Sequence, residues 1–268
     1  VALENTNLAK LNIAELYKKQ MKKSTFKAKS SGDWDKKAQY FSQNVVNSPY
    51  TKEFIRKVNL KDCESLLDVG SGPATISLAL AKKLKNVYAL DYSEQMLNYA
   101  KQRAKEQDIQ NLTTINKSWY DNWDSVPNTD IVVASRSMEV KNIKKALEKL
   151  NAKANKRVYI TAKVGGSFID KDILEQIPRK IIPRPDYIYI VNTLHSMGIF
   201  AKVDFMQTKN SKFDCVNEDE FIQSLKWSLG NLSKKEEQIL REYFSTTYKN
   251  REQKESLAWA FISWEIEK

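Results

Sequence analysis

The chain has 268 residues, of which 41% are apolar and 29% charged; this is ordinary for a globular protein and long enough for one α/β unit with insertions. No run of about 18 or more apolar residues occurs, so no membrane-spanning helix is expected; with one histidine and two distant cysteines, Cys63 and Cys215, a Cys/His zinc site is close to excluded. The net charge of +11 rests on 36 Lys and only 8 Arg, which argues against a dedicated nucleic-acid surface, although residues 1–60 alone carry +7 and keep an anionic partner open.

In chain order, residues 1–60 read as helical. Ala9, Ile13, Leu16 and Tyr17 recur at helical spacing, and Ser30-Ser31-Gly32 reads as a loop. Asp33-Trp34-Asp35 opens a second helix carrying Ala38, Tyr40 and Phe41, and a third follows Asn47-Ser48-Pro49 through Phe54, Ile55 and Val58. From Ser65 the texture changes: strands at 66–69, 87–90, 112–115, 131–134 and 157–164 alternate with helices at 74–84, 93–107 and 143–152. That alternation predicts a parallel sheet covered on both faces. Past Gly165-Gly166 comes a mostly helical insertion (about 167–199) broken by Pro178, Pro183 and Pro185, then a sixth strand at 200–206. A second insertion (about 210–252) holds two helices, the second opening at Ser233 with Glu236 three residues on, a capping-box spacing. The aromatic-rich stretch 257–266 is expected to be a seventh strand. The division expected is a helical N-terminal cap, 1–60, and one α/β domain, 61–268. Val1 to Ser30 is polar and Lys-rich rather than a signal peptide, and nothing implies a disulfide, so a cytoplasmic setting is expected.

The segment Leu66-Leu67-Asp68-Val69-Gly70-Ser71-Gly72-Pro73-Ala74-Thr75 leaves a strand, turns on two glycines and enters a helix. Glycines there let the backbone approach a ligand, and helix N-terminal amides then face it. Asp91 ends the next strand, placed to accept hydrogen bonds from two ribose hydroxyls. These features fit either a nicotinamide or an adenosylmethionine site. Position 75 is Thr where G-x-G-x-x-G needs its third glycine, and Asp68 at the strand end would repel a pyrophosphate. A carboxylate there can instead order the loop amides and help receive a cationic amino acid end.

Leu67-Asp68-Val69-Gly70-Ser71-Gly72 resembles the first motif of the class I S-adenosylmethionine-dependent methyltransferases, and Ala89-Leu90-Asp91-Tyr92-Ser93 with Met96-Leu97 resembles the second. The resemblance covers roughly 34–164. It implies a Rossmann-like, doubly wound seven-stranded sheet with its last strand antiparallel, with S-adenosylmethionine as cofactor and S-adenosylhomocysteine as product. It also implies that Asp68, Gly70, Ser71 and Gly72 contact the methionine moiety, Asp91 the ribose, and Tyr92 and Met96 the adenine. Ser118 stands where the family often has an acid after the third strand, and Trp119 beside it is expected to pack on the adenine. Ser135, closing the fourth strand, is counted with the cofactor contacts.

The run Ala134-Ser135-Arg136-Ser137-Met138-Glu139 lacks both the aromatic or His-rich pattern of many small-molecule members and the Asn-Pro-Pro-Tyr type of motif, so methylation of DNA adenine or protein glutamine is not expected. A small or carrier-bound organic acceptor is the leading expectation, resembling those of the quinone and biotin pathways. RNA methylation through the basic N-terminus and non-catalytic cofactor binding are the rivals. His195 is the candidate general base, sharing a helical face with Ile188 and Asn192. Tyr40 and Trp34 are candidate acceptor contacts, and Arg179 and Arg184 candidate clamps for a carboxylate or phosphate. No metal is expected, and the oligomeric state is not legible.

Overall fold

The computed structural model describes residues 11–44, 48–167, 169–208, 215–250 and 256–267; the readings that fell on Ala9 and Asn47, and the outer ends of the second insertion, lie outside them. The chain opens with helices α1 (Ile13–Lys23), α2 (Ser31–Asp35), α3 (Ala38–Asn44) and α4 (Pro49–Lys57). Ser30, expected in a loop, is the N-cap of α2. Its hydroxyl accepts the Asp33 amide while the Asp33 carboxylate accepts the Ser30 amide. The helix expected from Asp33 onward is thus two short ones, separated by a turn at Lys36-Lys37. Ser48 and Pro49 start α4 as N-cap and first-turn proline.

Next come β1 (Ser65–Val69), α5 (Thr75–Ala81), β2 (Asn86–Asp91), α6 (Glu94–Glu106), β3 (Leu112–Asn116), β4 (Thr129–Ala134), α7 (Ile143–Lys153) and β5 (Ala154–Lys163). The first insertion supplies α8 (Lys171–Glu175) and α9 (Tyr187–Ser196), followed by β6 (Lys202–Thr208). The second supplies α10 (Glu218–Leu229) and α11 (Lys234–Thr246), and β7 (Ser256–Glu265) ends the fold. The sheet order is β3-β2-β1-β4-β5-β7-β6. The five strands β1–β5 pair in parallel, while β7 runs antiparallel between β5 and β6. This is the seven-stranded Rossmann-like sheet expected, with the antiparallel strand inserted one place in from the edge.

The two-residue pleat sorts the apolar runs onto opposite faces. Ile131 and Val133 join one core with Phe54, Leu66 and Ala100; Val132 and Ala134 join the other with Tyr17, Leu67 and Leu147. Trp259 and Trp264 are buried on opposite faces of β7, as core residues. The insertions build a third, smaller core in which Ile173 meets Phe221, Leu225, Leu240 and Phe244. The capping box at Ser233 and Glu236 is present. No helix among the described residues is long and apolar enough to cross a membrane.

Candidate functional site

The crossover from β1 to α5 lies at the carboxyl end of the sheet, next to the point where the strand order reverses between β1 and β4, the usual ligand crevice of an open α/β sheet. Gly70 and Gly72 both have left-handed backbones, φ +67° and +55°. They serve different ends. A Cβ on Gly70 would lie 2.4 Å from that of Ser137, so the loop after β4 needs a glycine there. A Cβ on Gly72 would meet only the Met96 sulfur, at 3.8 Å, which leaves that backbone open to a ligand. Ala74, at the N-cap of α5, also takes a left-handed conformation (φ 56°) while fully buried.

The turn is tied to its surroundings by short bonds. The Gly70 and Ser71 amides donate to the Leu90 carbonyl (2.7 and 3.0 Å), and buried Arg103 of α6 donates to the Pro73 carbonyl at 2.6 Å and to Thr75 Oγ1 at 3.2 Å. Asp91 closes β2 almost wholly buried. Its Oδ2 accepts the Gly72 amide at 2.8 Å and its Oδ1 the Ser93 amide at 2.8 Å. Burial pushes its carboxyl up, and the amides at Ser93, Gly72 and Tyr92 oppose that. Asp68, also buried, accepts the Ser77 hydroxyl at 2.7 Å and steadies the first turn of α5. Burial, reinforced by the Asp91 charge and opposed by Ser77, pushes it up to about 7.

Met96 is buried beneath the turn, and Tyr92 is half-buried, its hydroxyl donating to the Lys29 carbonyl at 3.3 Å. Ser118 and Trp119 follow β3. The Ser118 amide donates to Asp121 at 2.6 Å, and the half-buried Trp119 ring lies 5.5 Å from that of Trp123. Ser135 follows β4 and shares a 2.7 Å hydrogen bond with the Tyr50 hydroxyl, which also reaches Thr161 Oγ1 at 2.8 Å. All the expected cofactor contacts therefore lie along the carboxyl ends of β1–β4. The N-terminal segment crosses this edge: Ser93 Oγ donates to Asp35 at 2.5 Å, and α2 and α3 pack on α6.

A second, narrow cavity opens over the ends of β4 and β5, lined among others by Tyr17, Arg136, Glu139, Lys163 and Arg184. Tyr17 donates to the Val140 carbonyl at 2.9 Å and brings α1 to its rim. His195 is not among its lining residues. That side chain sits exposed at the end of α9, edge-on to the exposed Phe200 ring at 5.6 Å. Ile188, Asn192 and His195 do share a face, and all three are exposed on it. Tyr40 is exposed on α3. Trp34 packs against Trp227 (5.6 Å), and Arg179 is held by Glu236 and the Asn231 carbonyl, so neither Arg179 nor Tyr40 lines the cavity. Lys163 and Glu139 were not singled out from sequence. A lysine ending the mostly apolar run Val158 to Ala162 was the available signal for the first.

A family profile described as "Methyltransferase domain" matches residues 60–182, a little under half of the chain, including the glycine turn and Asp91. An uncharacterized protein of Haemophilus influenzae is 37% identical over 265 residues, covering 96% of this chain and 98% of its own length. A probable cobalt-precorrin-6B C(15)-methyltransferase (decarboxylating) of Methanocaldococcus jannaschii is 32% identical over 39% of this chain and 58% of its own. An rRNA adenine N-6-methyltransferase of Limosilactobacillus reuteri is 26% identical over 72% of this chain and 90% of its own. In fold the chain is similar to a SAM-dependent methyltransferase of Aquifex aeolicus, with TM-score 0.52 and 15% identity, covering 90% of this chain and all of that one. Residues 60–182 thus carry a methyltransferase domain, on a Rossmann-like fold similar to that of a solved S-adenosylmethionine-dependent methyltransferase.

Proposed function

We propose that the chain transfers the methyl group of S-adenosylmethionine to a small or carrier-bound organic acceptor held over the ends of β4 and β5. The observation that carries this reading is the narrowness of that opening: α1 and the loop before α9 both line it, through Tyr17 and Arg184. When bound, the cofactor supplies a methyl group on a sulfonium and leaves as S-adenosylhomocysteine. The residues present fit it. Gly72 offers an unobstructed backbone, Asp91 has further lone pairs for the ribose hydroxyls, and Asp68 lies behind the turn, where burial pushes its carboxyl up to about 7 and an arriving cation would favour its charged form.

What the protein itself does is position and exclude. The Tyr17 hydroxyl fixes α1 to the loop after β4, and the Thr25 amide donates to the Ile182 carbonyl, lashing the N-terminal segment to the first insertion. Methyl transfer needs an in-line approach in a dry site, and these straps supply walls on the side the sheet leaves open. On this reading residues 1–60 act as the cap, and no proton transfer through His195 is required.

RNA methylation is the second reading, favoured by the basic N-terminus and by the weaker relative named for rRNA adenine. It ranks below because lysines of that segment serve the fold: Lys27 pairs with Asp33 at 2.9 Å, and Lys29 lies over the Trp227 ring at 4.5 Å. The test is a screen of acceptors followed by S-adenosylhomocysteine release, with transfer RNA and ribosomal RNA as separate arms. Turnover on RNA alone would reverse the ranking.

A further inference from the structure

We infer, building on the methyltransferase reading, that the acceptor carries an anionic group, a carboxylate or a phosphate, on an apolar body, and that Arg136, Lys163 and Arg184 receive it where Glu139 now holds its place. The three cations come from different parts of the chain. Arg136 follows β4, Lys163 ends β5, and Arg184 lies in the first insertion, yet all line one cavity. Among the described residues, only one carboxylate lines it with them. Glu139 bridges Lys163 through one oxygen and Arg184 through the other. Arg136 has no carboxylate partner among the described residues; its guanidinium lies 4.4 Å over the Tyr50 ring.

Two of the three cations are withdrawn from solvent, while Arg136 is exposed. The side chains of Lys163 and Arg184 are 18% and 10% exposed, whereas that of Glu139 is 36% exposed. Cations withdrawn from water need a counter-charge. Burial pushes Lys163 down to about 7, and Lys29 nearby is pushed down to about 8 by its own burial and by Lys27, Arg184 and Lys163. Glu139, its side chain 36% exposed, is free to swing out.

The arginine platform is built rather than incidental. Arg136 adopts a left-handed backbone (φ 59°), uncommon for a side chain with a Cβ, and its amide is held by Thr161 Oγ1 at 2.9 Å. Thr161 also bonds the hydroxyl of Tyr50, so one residue fixes both the guanidinium's backbone and the ring beneath it. The remaining wall is apolar, with Met21, Met138, Ile190 and Trp259. An apolar body with one charged end matches that division.

The test is calorimetric titration of the full chain with benzoate and with phenyl phosphate, each against neutral benzamide, with and without S-adenosylhomocysteine. The expected result is that at least one anion binds and benzamide does not. Its affinity should fall about tenfold or more in Lys163→Met and in Arg136→Gln, the loss of one charge-assisted hydrogen bond. It should rise in Glu139→Gln, because a competing internal carboxylate is removed; a residue needed only for structure would not give a gain. The benzoate and phenyl phosphate arms separate carboxylate from phosphate chemistry. Equal binding of anions and benzamide, absence of anion binding up to about 10 mM, or unchanged affinity in folded Lys163→Met and Arg136→Gln would overturn the inference. S-adenosylhomocysteine binding with no anion preference would refute this site alone, while failure to bind S-adenosylhomocysteine would refute the reading beneath it.

Discussion

Gly70→Ala tests the turn after β1 most sharply, because two penalties are visible in the structure. Alanine at φ +67° costs about 1–2 kcal/mol in the left-handed region. Its Cβ would also lie 2.4 Å from Ser137 Cβ and 2.9 Å from its Oγ, and Ser137 is pinned by donating to the Val69 carbonyl at 2.6 Å. Relieving that overlap means moving the loop after β4, at about 1–3 kcal/mol. Urea unfolding should therefore show a loss of about 2–5 kcal/mol. Ser137→Gly alone should cost about 1 kcal/mol through the lost hydrogen bond. The double variant should be less destabilised than the sum of the two by about 1–3 kcal/mol, since the overlap vanishes while the backbone cost stays. Additive effects, or a Gly70→Ala variant within about 0.5 kcal/mol of the parent, would refute the claim that these two loops are packed to contact.

Two further outcomes are expected. Asp68 is held near 7 when folded, against an ordinary carboxylate value when unfolded, so the folded state binds the extra proton. Its contribution is then complete below about pH 4 and is lost as pH rises to about 7, by on the order of 4 kcal/mol, with no further change above. Denaturation of the cofactor-free protein between pH 5 and 8 should show this slope, and Asp68→Asn should flatten it; identical slopes would reject the assignment. Ser233→Ala removes the acceptor of the Glu236 amide and should cost about 1 kcal/mol, with S-adenosylhomocysteine affinity unchanged, because that cap starts α11 in the second insertion, away from the glycine turn. A loss of cofactor affinity in that variant would show the insertion coupled to the turn.

Much of the fold was legible because its strands are continuous apolar runs and its helices carry one-sided stripes. The glycine turn and Asp91 were legible for a related reason: strand, turn and helix follow one another within 30 residues. What escaped depended on distance or on backbone detail. Glu139 meets Arg184 across 45 residues, through an insertion whose path no periodicity encodes. The left-handed Ala74 and Arg136 are ordinary residue types in extraordinary conformations. For α9, the spacing correctly put Ile188, Asn192 and His195 on one face. Periodicity says which residues share a face, not whether that face looks inward, and here it looks to solvent. The loop expected at Ser30 became a helix start because Ser30 and Asp33 cap reciprocally, a spacing readable in principle but masked by the neighbouring glycine.

The most direct measurement is calorimetric titration of S-adenosylmethionine and S-adenosylhomocysteine into the full chain and into Asp91→Ala, with NADH as the competing ligand and circular dichroism to confirm folding. The expected result is binding in about the micromolar range to the parent, at least about tenfold weaker in Asp91→Ala as the ribose hydroxyls lose their acceptor, and none for NADH. A preference for NADH, or adenosylmethionine binding indifferent to Asp91, would contradict the placement of the cofactor across the ends of β1 and β2.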